Sequence, residues 1–282
     1  MSLNSIISAI LIFIIIFASI IMTTDTPGVF LNIPSIILVL GGTVVALFIS
    51  YEFKVAMNTL MLIFSSFKKS SCDYSDMKSE VARLVSWAYI IQKAGLQGLE
   101  NEFNNQLQEE EPFLSYGGEL VVTGYTGVEI GQTLNNLIES ESAKDTITTD
   151  ALKKMGGDAP AYGMLGTMIG LIVMLGNMGT NPAAIGPSMA IALITTFYGI
   201  ICARTIFIPV ASKISSRLDV SKYKHILQKE GLILLAERKS PRYIQDRLNS
   251  FVDINDQFSI DRDINLSAMA IPTPPTNNSG NE

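Results

Sequence analysis

Three threonines lie in two stretches of the chain that are otherwise apolar. Thr167 lies in the first stretch, and the adjacent pair Thr195 and Thr196 lies in the second. A hydroxyl offers a cation an oxygen ligand without a charge. If helices begin at Ala159 and Ser188, Thr167 and Thr196 each lie about 12 Å along oppositely directed helices. Both then fall near the middle of a bilayer core about 30 Å thick, so these residues predict an ion pathway.

The same apolar stretches contain no Asp, Glu, His or Lys. A protein that binds or relays ions inside the membrane generally needs an ionisable group there. We therefore expect a partner protein to supply the carboxylate. The two cysteines rule out a disulfide framework. We predict neither enzymatic activity nor a cofactor or permanently bound metal. A net charge of −6 without a basic face argues against nucleic-acid binding.

The distribution of charge indicates a membrane protein with a large water-facing part. Only 16% of residues are charged, whereas soluble domains carry about 25%. Residues 1–51 contain one charged residue, Asp25, and residues 159–203 contain none. All lysines and arginines lie in residues 52–158 or from Arg204 onward.

This pattern predicts an all-α membrane protein with four transmembrane helices and a helical cytoplasmic domain between helices 2 and 3. The predicted spans are residues 3–22, 33–51, 159–178 and 188–210. The loops at 23–32 and 179–187 lack lysine and arginine. The positive-inside rule then places both termini in the cytoplasm.

The predicted domain organisation follows these spans. It consists of helices 1 and 2 in residues 1–51, a cytoplasmic domain in 52–158, helices 3 and 4 in 159–211, C-terminal cytoplasmic helices in 212–260 and a disordered tail in 261–282. The cytoplasmic domain begins with a predicted amphipathic helix at 53–69, which ends in Lys68 and Lys69.

Small residues recur at helical spacing on the third and fourth predicted spans. They include Gly163, Gly166 and Gly170 on the third span and Gly199 on the fourth. Stripes of small residues let membrane helices approach closely. They therefore predict helix packing, or the lining of a space for another helix or an ion. The pattern leaves both readings open.

Two longer motifs resemble the flagellar stator subunits of the MotA/PomA family. They are APAYGMLGTMIGLIVML at 159–175 and GPSMAIALITTFYGIICARTIFIPVASK at 186–213, which are similar to the third and fourth helices of that family. The segments VLGGT at 39–43 and AGLQGLE at 94–100 extend the resemblance over most of the chain. The related ExbB and TolQ proteins have three spans and fit less well.

The resemblance implies an ion-conducting subunit of the bacterial inner membrane. Five such subunits would form a ring around two single-span MotB/PomB-type subunits, each of which carries an essential membrane aspartate. Ion flow would turn the ring and, through it, the rotor protein FliG. Membrane lipid would surround the ring.

The resemblance also implies roles for individual residues. Thr167 and Thr196 would face the pore, Pro160 and Pro209 would take part in conformational coupling, and Lys93 and Glu100 would face the rotor. Lys93 and Glu100 would share one helix face if the helix persists through Gly95 and Gly98. Gln92 stands where the family usually has arginine.

The transported ion follows from the same comparison of motifs. Thr167 stands where proton-driven members have alanine and sodium-driven members have threonine, so Na⁺ is expected and H⁺ is the alternative. Asn32 departs from the aspartate that sodium-driven members have at the outer mouth. Two other functions remain open: an ExbB/TolQ-like energiser of another ion-driven envelope machine, and a passive channel or structural scaffold.

Overall fold

The computed structural model describes residues 3–65, 77–106 and 111–263, with side chains described for 11–63, 77–102 and 111–261. Over these residues every regular element is a helix. The basic end of the predicted amphipathic helix, and nearly all of the predicted disordered tail, lie outside the described residues.

Nine helices account for most of the described chain. In order they are α1 (Leu3–Thr23), α2 (residues 33–50), α3 (Phe53–Ser65), α4 (Met77–Gln106), α5 (Pro112–Thr123), α6 (Gly127–Asn177), α7 (residues 185–236), α8 (Pro241–Asn249) and α9 (Ile260–Asp263). A π-helical turn interrupts α2 at Ile37–Gly41, and another interrupts α7 at Cys202–Phe207. Short 3₁₀ turns occupy Pro27–Phe30, Pro182–Ala184 and Ile254–Asp256.

Among the described residues, three helical stretches are long and apolar enough to cross a membrane. They are Pro27–Ser50, Gly127–Asn177 and Pro182–Ala236, which cover the second and third predicted spans except for the last residue of each, and the whole of the fourth. The all-helical class with long apolar helices is therefore confirmed. The first predicted span corresponds to α1, whose side chains are described only from Leu11, so the count of four spans stays a prediction.

The helices begin and end where side chains satisfy their free backbone groups. At the start of α6, Glu129 Oε2 accepts from the amide of Thr126 at 2.9 Å, and the amide of Glu129 donates back to Thr126 Oγ1 at 3.4 Å. This reciprocal pair is a capping box. The bonds from Thr126 hold the pKa of Glu129 below its ordinary value. Gly124, with φ of 89°, ends α5 in the left-handed conformation that favours glycine.

The described chain forms two compact units. The first unit combines Met1–Cys72 with Glu139–Ser221, and the second combines Asp73–Ile138 with Lys222–Glu282. The predicted boundaries after residues 158 and 211 both fall inside continuous helices, α6 and α7.

The core of the first unit lies where α2, α6 and α7 pack together. Its fully buried side chains include Val39 and Leu47 from α2, Leu152 and Met155 from α6, and Phe207 from α7. The VLGGT segment takes part in this core. A Cβ atom on Gly42 would come 2.5 Å from the ring of Tyr162, so glycine lets the tyrosine lie flat against α2.

The second unit has its own apolar core and a charged cluster beside it. Trp87 and Leu114 are almost fully buried. Glu80, which is 4% exposed, contacts Lys224 at 2.9 Å and also pairs with Arg83. Glu111 contacts Arg83 at 2.6 Å and Lys224 at 2.7 Å. Burial alone would raise the pKa of Glu111, but the hydrogen bonds and charges of Arg83 and Lys224 outweigh burial and lower it.

Candidate functional site

The hydroxyl groups of Thr167 and Thr196 meet between α6 and α7. The two Oγ1 atoms are hydrogen-bonded to each other, and both side chains are partly exposed. The carbonyl oxygen of Gly163 lies 3.2 Å from Thr167 Oγ1 and 3.1 Å from Thr196 Oγ1. A further carbonyl, that of Ala192, lies 3.4 Å from Thr167 Oγ1. Four oxygen atoms thus lie close together; the two hydroxyls belong to partly exposed side chains and the two carbonyls to buried residues.

The hydrogen bonds of this cluster determine what it can offer to a ligand. Each hydroxyl has one proton and two lone pairs. One threonine donates its proton to the hydroxyl of the other, and the second threonine can donate its own proton to the carbonyl of Gly163. Either threonine can take the first role. Lone pairs therefore remain for an outside ligand, and protons do not. Such a cluster suits a hard cation better than an anion.

Four glycines bring the two helices close enough for these contacts. A Cβ on Gly199 would come 2.6 Å from the carbonyl oxygen of Ala159, and one on Gly170 would come 2.6 Å from Ala192 Cβ. Gly163 lies against the backbone of α7 at Thr195 and Thr196, and Gly166 against the side chain of Thr195. All four therefore lie at the contact between α6 and α7, as the packing alternative for the small-residue stripes expects.

The structure does not bring Thr195 to the other two threonines. It is 1% exposed, and its hydroxyl lies 3.0 Å from Ser35 Oγ of α2 and 2.7 Å from the carbonyl of Ile191. Thr195 thus faces the inside of its own subunit. We correct its predicted place in the ion pathway and assign it to the packing of α2 against α7.

At the N-terminal end of α2, Asn32 caps the helix. Its Oδ1 accepts from the amide of Ser35 at 3.0 Å and from the Ser35 hydroxyl at 2.9 Å. The amide of Asn32 donates to the hydroxyl of Tyr198 at 3.3 Å, and that hydroxyl donates to the carbonyl of Phe30. Asn32 therefore has a structural role that an N-cap position explains.

The two prolines lie inside continuous helices. Pro160 lies within α6, and its Cα would be 3.1 Å from a Cβ on Gly199. Pro209 follows directly after the π-helical turn Cys202–Phe207 and is continuous with the rest of α7. Neither proline therefore terminates its helix. Neither proline can donate the usual bond to the carbonyl four residues earlier, which leaves a point where each helix can bend.

Replacing Pro160 or Pro209 with alanine is expected to keep the complex assembled and to reduce torque. Alanine restores the missing amide donor and removes the ring that strains the preceding turn, so the helix becomes stiffer at that point. Torque can be measured from the rotation of a bead on a tethered flagellum. Pro182→Ala, in the 3₁₀ turn between α6 and α7, is the control. Unchanged torque in both helix variants would argue against a coupling role.

In the second unit, Lys93 and Glu100 are both exposed on α4. Gly95 between them has φ of 69° and ψ of −165°, which breaks the helical course. The condition under which Lys93 and Glu100 would share one helix face, a helix that persists through Gly95, is therefore not met. Their exposure leaves both side chains accessible to a partner, and their rotor-facing role stays a prediction.

Sequence reasoning missed a groove beside Gln92 in the second unit. It has a volume of about 340 Å³ and is lined on its other side by Arg238, Lys239 and Ser240. Arg238 has φ of 54°, a conformation that costs a non-glycine residue about 1 kcal/mol or more. Its amide bonds to Leu235 and that of the next residue to Leu234, so Arg238 occupies the position where helices usually end in glycine.

No group of three or more His, Cys, Asp or Glu side chains within the described ranges could hold a metal ion.

Comparison with known proteins places this geometry in a family. The model of the MotA/TolQ/ExbB proton channel family matches residues 105–225. The chemotaxis protein PomA of Vibrio alginolyticus is 30% identical over 80% of this chain and 86% of its own length. Motility protein A of Cereibacter sphaeroides is 31% identical over 81% of this chain and 87% of its own length.

Two solved structures share the fold. The structure of C. jejuni MotAB has a TM-score of 0.81 and 23% identity, and covers 92% of this chain and 99% of its own. The flagellar MotAB stator complex from Bacillus subtilis has a TM-score of 0.80 and 22% identity, and covers 91% and 97%. The chain therefore belongs to the MotA/TolQ/ExbB proton channel family, as a MotA/PomA-type flagellar stator subunit of the inner membrane.

Proposed function

We propose that this stator subunit couples the inward flow of Na⁺ to torque on the flagellar rotor. The ion passes along the face that carries Thr167 and Thr196. A MotB/PomB-type partner holds the ion on a carboxylate that this chain does not provide. Five copies of the chain form the ring, both termini are cytoplasmic, and the rotor protein FliG receives the torque.

The oxygen cluster at Thr167 and Thr196 is the observation that carries this proposal. It is partly exposed in the single subunit, in contrast to the fully enclosed Thr195. Both hydroxyl protons are donated to acceptors within the chain, so only oxygen lone pairs remain for a ligand. A sodium ion must exchange its hydration shell for several such oxygens. A proton needs only a titratable group and a path of water, which supports Na⁺ over the alternative, H⁺.

The requirement for a partner follows from charge. Residues 159–203 contain no charged side chain, so within this stretch nothing can neutralise a cation in the membrane. A carboxylate on a partner helix, placed against the cluster at Thr167 and Thr196, would complete the ligand shell. Both of the similar solved structures are of MotAB, which supports a partner of the MotB type.

The test of this division of labour is co-expression. The chain alone is expected to give neither ion flux into vesicles nor motility in a strain that lacks stators, because it offers no membrane carboxylate. The chain with its MotB/PomB-type partner should give both. A partner with its membrane aspartate changed to asparagine should assemble but abolish flux. Ion flux through the purified chain alone would contradict the proposal.

A further inference from the structure

An apolar cavity lies in the first unit, between α1 and the helices α2 and α7. Its volume is about 530 Å³, within the range of about 300–1,000 Å³ typical of ligand pockets. Phe13 and Phe17 of α1 form one wall. Leu40 of α2 and the pair Ile201 and Cys202 of α7 form the other.

The cavity offers a ligand almost no hydrogen bonds. Tyr198 carries the one hydroxyl in its lining, and that hydroxyl already donates to the carbonyl of Phe30 and accepts from the amide of Asn32. A buried water molecule needs two to four polar partners, so water is not expected to fill this space. An empty apolar cavity loses dispersion contacts along all its walls and destabilises the protein. The physically favourable occupant is therefore a hydrocarbon.

The packing of α1 points in the same direction. None of its described side chains is buried, and Phe17 is 62% exposed although it lines the cavity. The helix thus stands off from α2 and α7 instead of closing the space with its own residues. Because α2 and α7 are long and apolar enough to cross a bilayer, the nearest supply of hydrocarbon is the acyl chains of the lipids around them.

We propose that the cavity binds one acyl chain of a membrane phospholipid. The chain enters between α1 and α7 and fills the space, so that the lipid acts as a structural component that holds α1 against the rest of the unit. The stabilisation comes from dispersion contacts between the acyl chain and the cavity walls, because the chain is already in hydrocarbon before it binds. This inference depends only on the location of the subunit in the membrane, and not on which ion it conducts.

Two adjacent residues of α7 provide a matched test. Ile201 lines the cavity, whereas Ile200 is 50% exposed and does not. The stator complex is extracted in a bile-salt detergent, whose rigid body is a poor substitute for an acyl chain, and the phospholipid retained per chain is counted by mass spectrometry. Ile201→Phe places a larger ring in the path of the acyl chain and should lower the phospholipid retained per chain relative to the wild type. Ile200→Phe should retain it. Leu40→Phe, on the opposite wall, should repeat the loss.

Cys202 gives an independent readout, because its side chain lines the same cavity. In a Cys72→Ser protein it is the sole thiol. Alkylation of Cys202 by N-ethylmaleimide should become several-fold faster after delipidation and slow again when phosphatidylcholine is added back. Fast alkylation with and without lipid would overturn the proposal, because the cavity would then be empty. Slow alkylation in both states, with no difference in retained lipid between Ile201→Phe and Ile200→Phe, would also overturn it, because protein would then fill the space.

Discussion

Thr167→Ala is expected to lower the occupancy of the ion site by roughly tenfold to a hundredfold, and so to reduce sodium-driven swimming speed. The substitution removes one of the proposed oxygen ligands and the hydrogen bond between the two hydroxyls, while Thr196 keeps its bond to the carbonyl of Gly163. By analogy with a hydrogen bond to a charged group, the lost contact is worth about 1.5–3 kcal/mol, and each 1.4 kcal/mol corresponds to a factor of ten. The measurement is swimming speed at fixed sodium in a strain that has only this stator.

Two control variants separate the loss of a ligand from a packing defect. Thr167→Ser keeps the oxygen and should retain most of the speed. Thr205→Ala removes a hydroxyl that bonds to the carbonyl of Ile201 in its own helix at 2.7 Å, and it should have little effect. If Thr167→Ala swims as fast as Thr205→Ala, the hydroxyl at 167 is not part of the ion path.

Gly199→Val is expected to prevent stable assembly of the subunit. A Cβ at this position would already come 2.6 Å from the carbonyl oxygen of Ala159 and 3.1 Å from the Cα of Pro160. Both are backbone atoms, so α6 and α7 must separate to make room. Overpacking costs about 1–3 kcal/mol in a core that can adjust, and more where it cannot. Separation would also pull apart the hydroxyls of Thr167 and Thr196.

The readouts for Gly199→Val are the amount of complex extracted from membranes and its thermal midpoint. Gly176→Val is the matched control on α6, because nothing lies within 4 Å of a Cβ there. We expect Gly176→Val to accumulate and melt as the wild type does. Equal accumulation and equal melting of the two variants would show that α6 and α7 do not depend on their close contact.

The long helices could be predicted from the sequence because they depend on local composition. Runs of apolar residues without charge mark membrane helices whatever the tertiary structure. The contact at Ser35 could not be predicted in this way, because its partner Thr195 is 160 residues further along the chain. No local pattern predicts the left-handed backbone of Arg238 either, because glycine is the usual residue at such a position.

Two corrections could have been foreseen from helix geometry. Thr195 and Thr196 are adjacent, and adjacent residues on a helix do not face the same side. One of the two therefore had to point away from the ion path. Similarly, Gly95 lies between Lys93 and Glu100, and glycine readily adopts the positive φ that it has here. The glycine therefore argued against a helix face shared by Lys93 and Glu100.

The central claim, that Na⁺ passes along the face of Thr167 and Thr196, is tested most directly by changing the ion. Swimming speed is measured in a strain with this stator alone, at constant pH and ionic strength, as sodium is replaced stepwise by potassium. We predict that speed falls with sodium concentration and approaches zero when sodium is exhausted. A speed that stays constant down to trace sodium would contradict the claim, and the proton would then be the coupling ion.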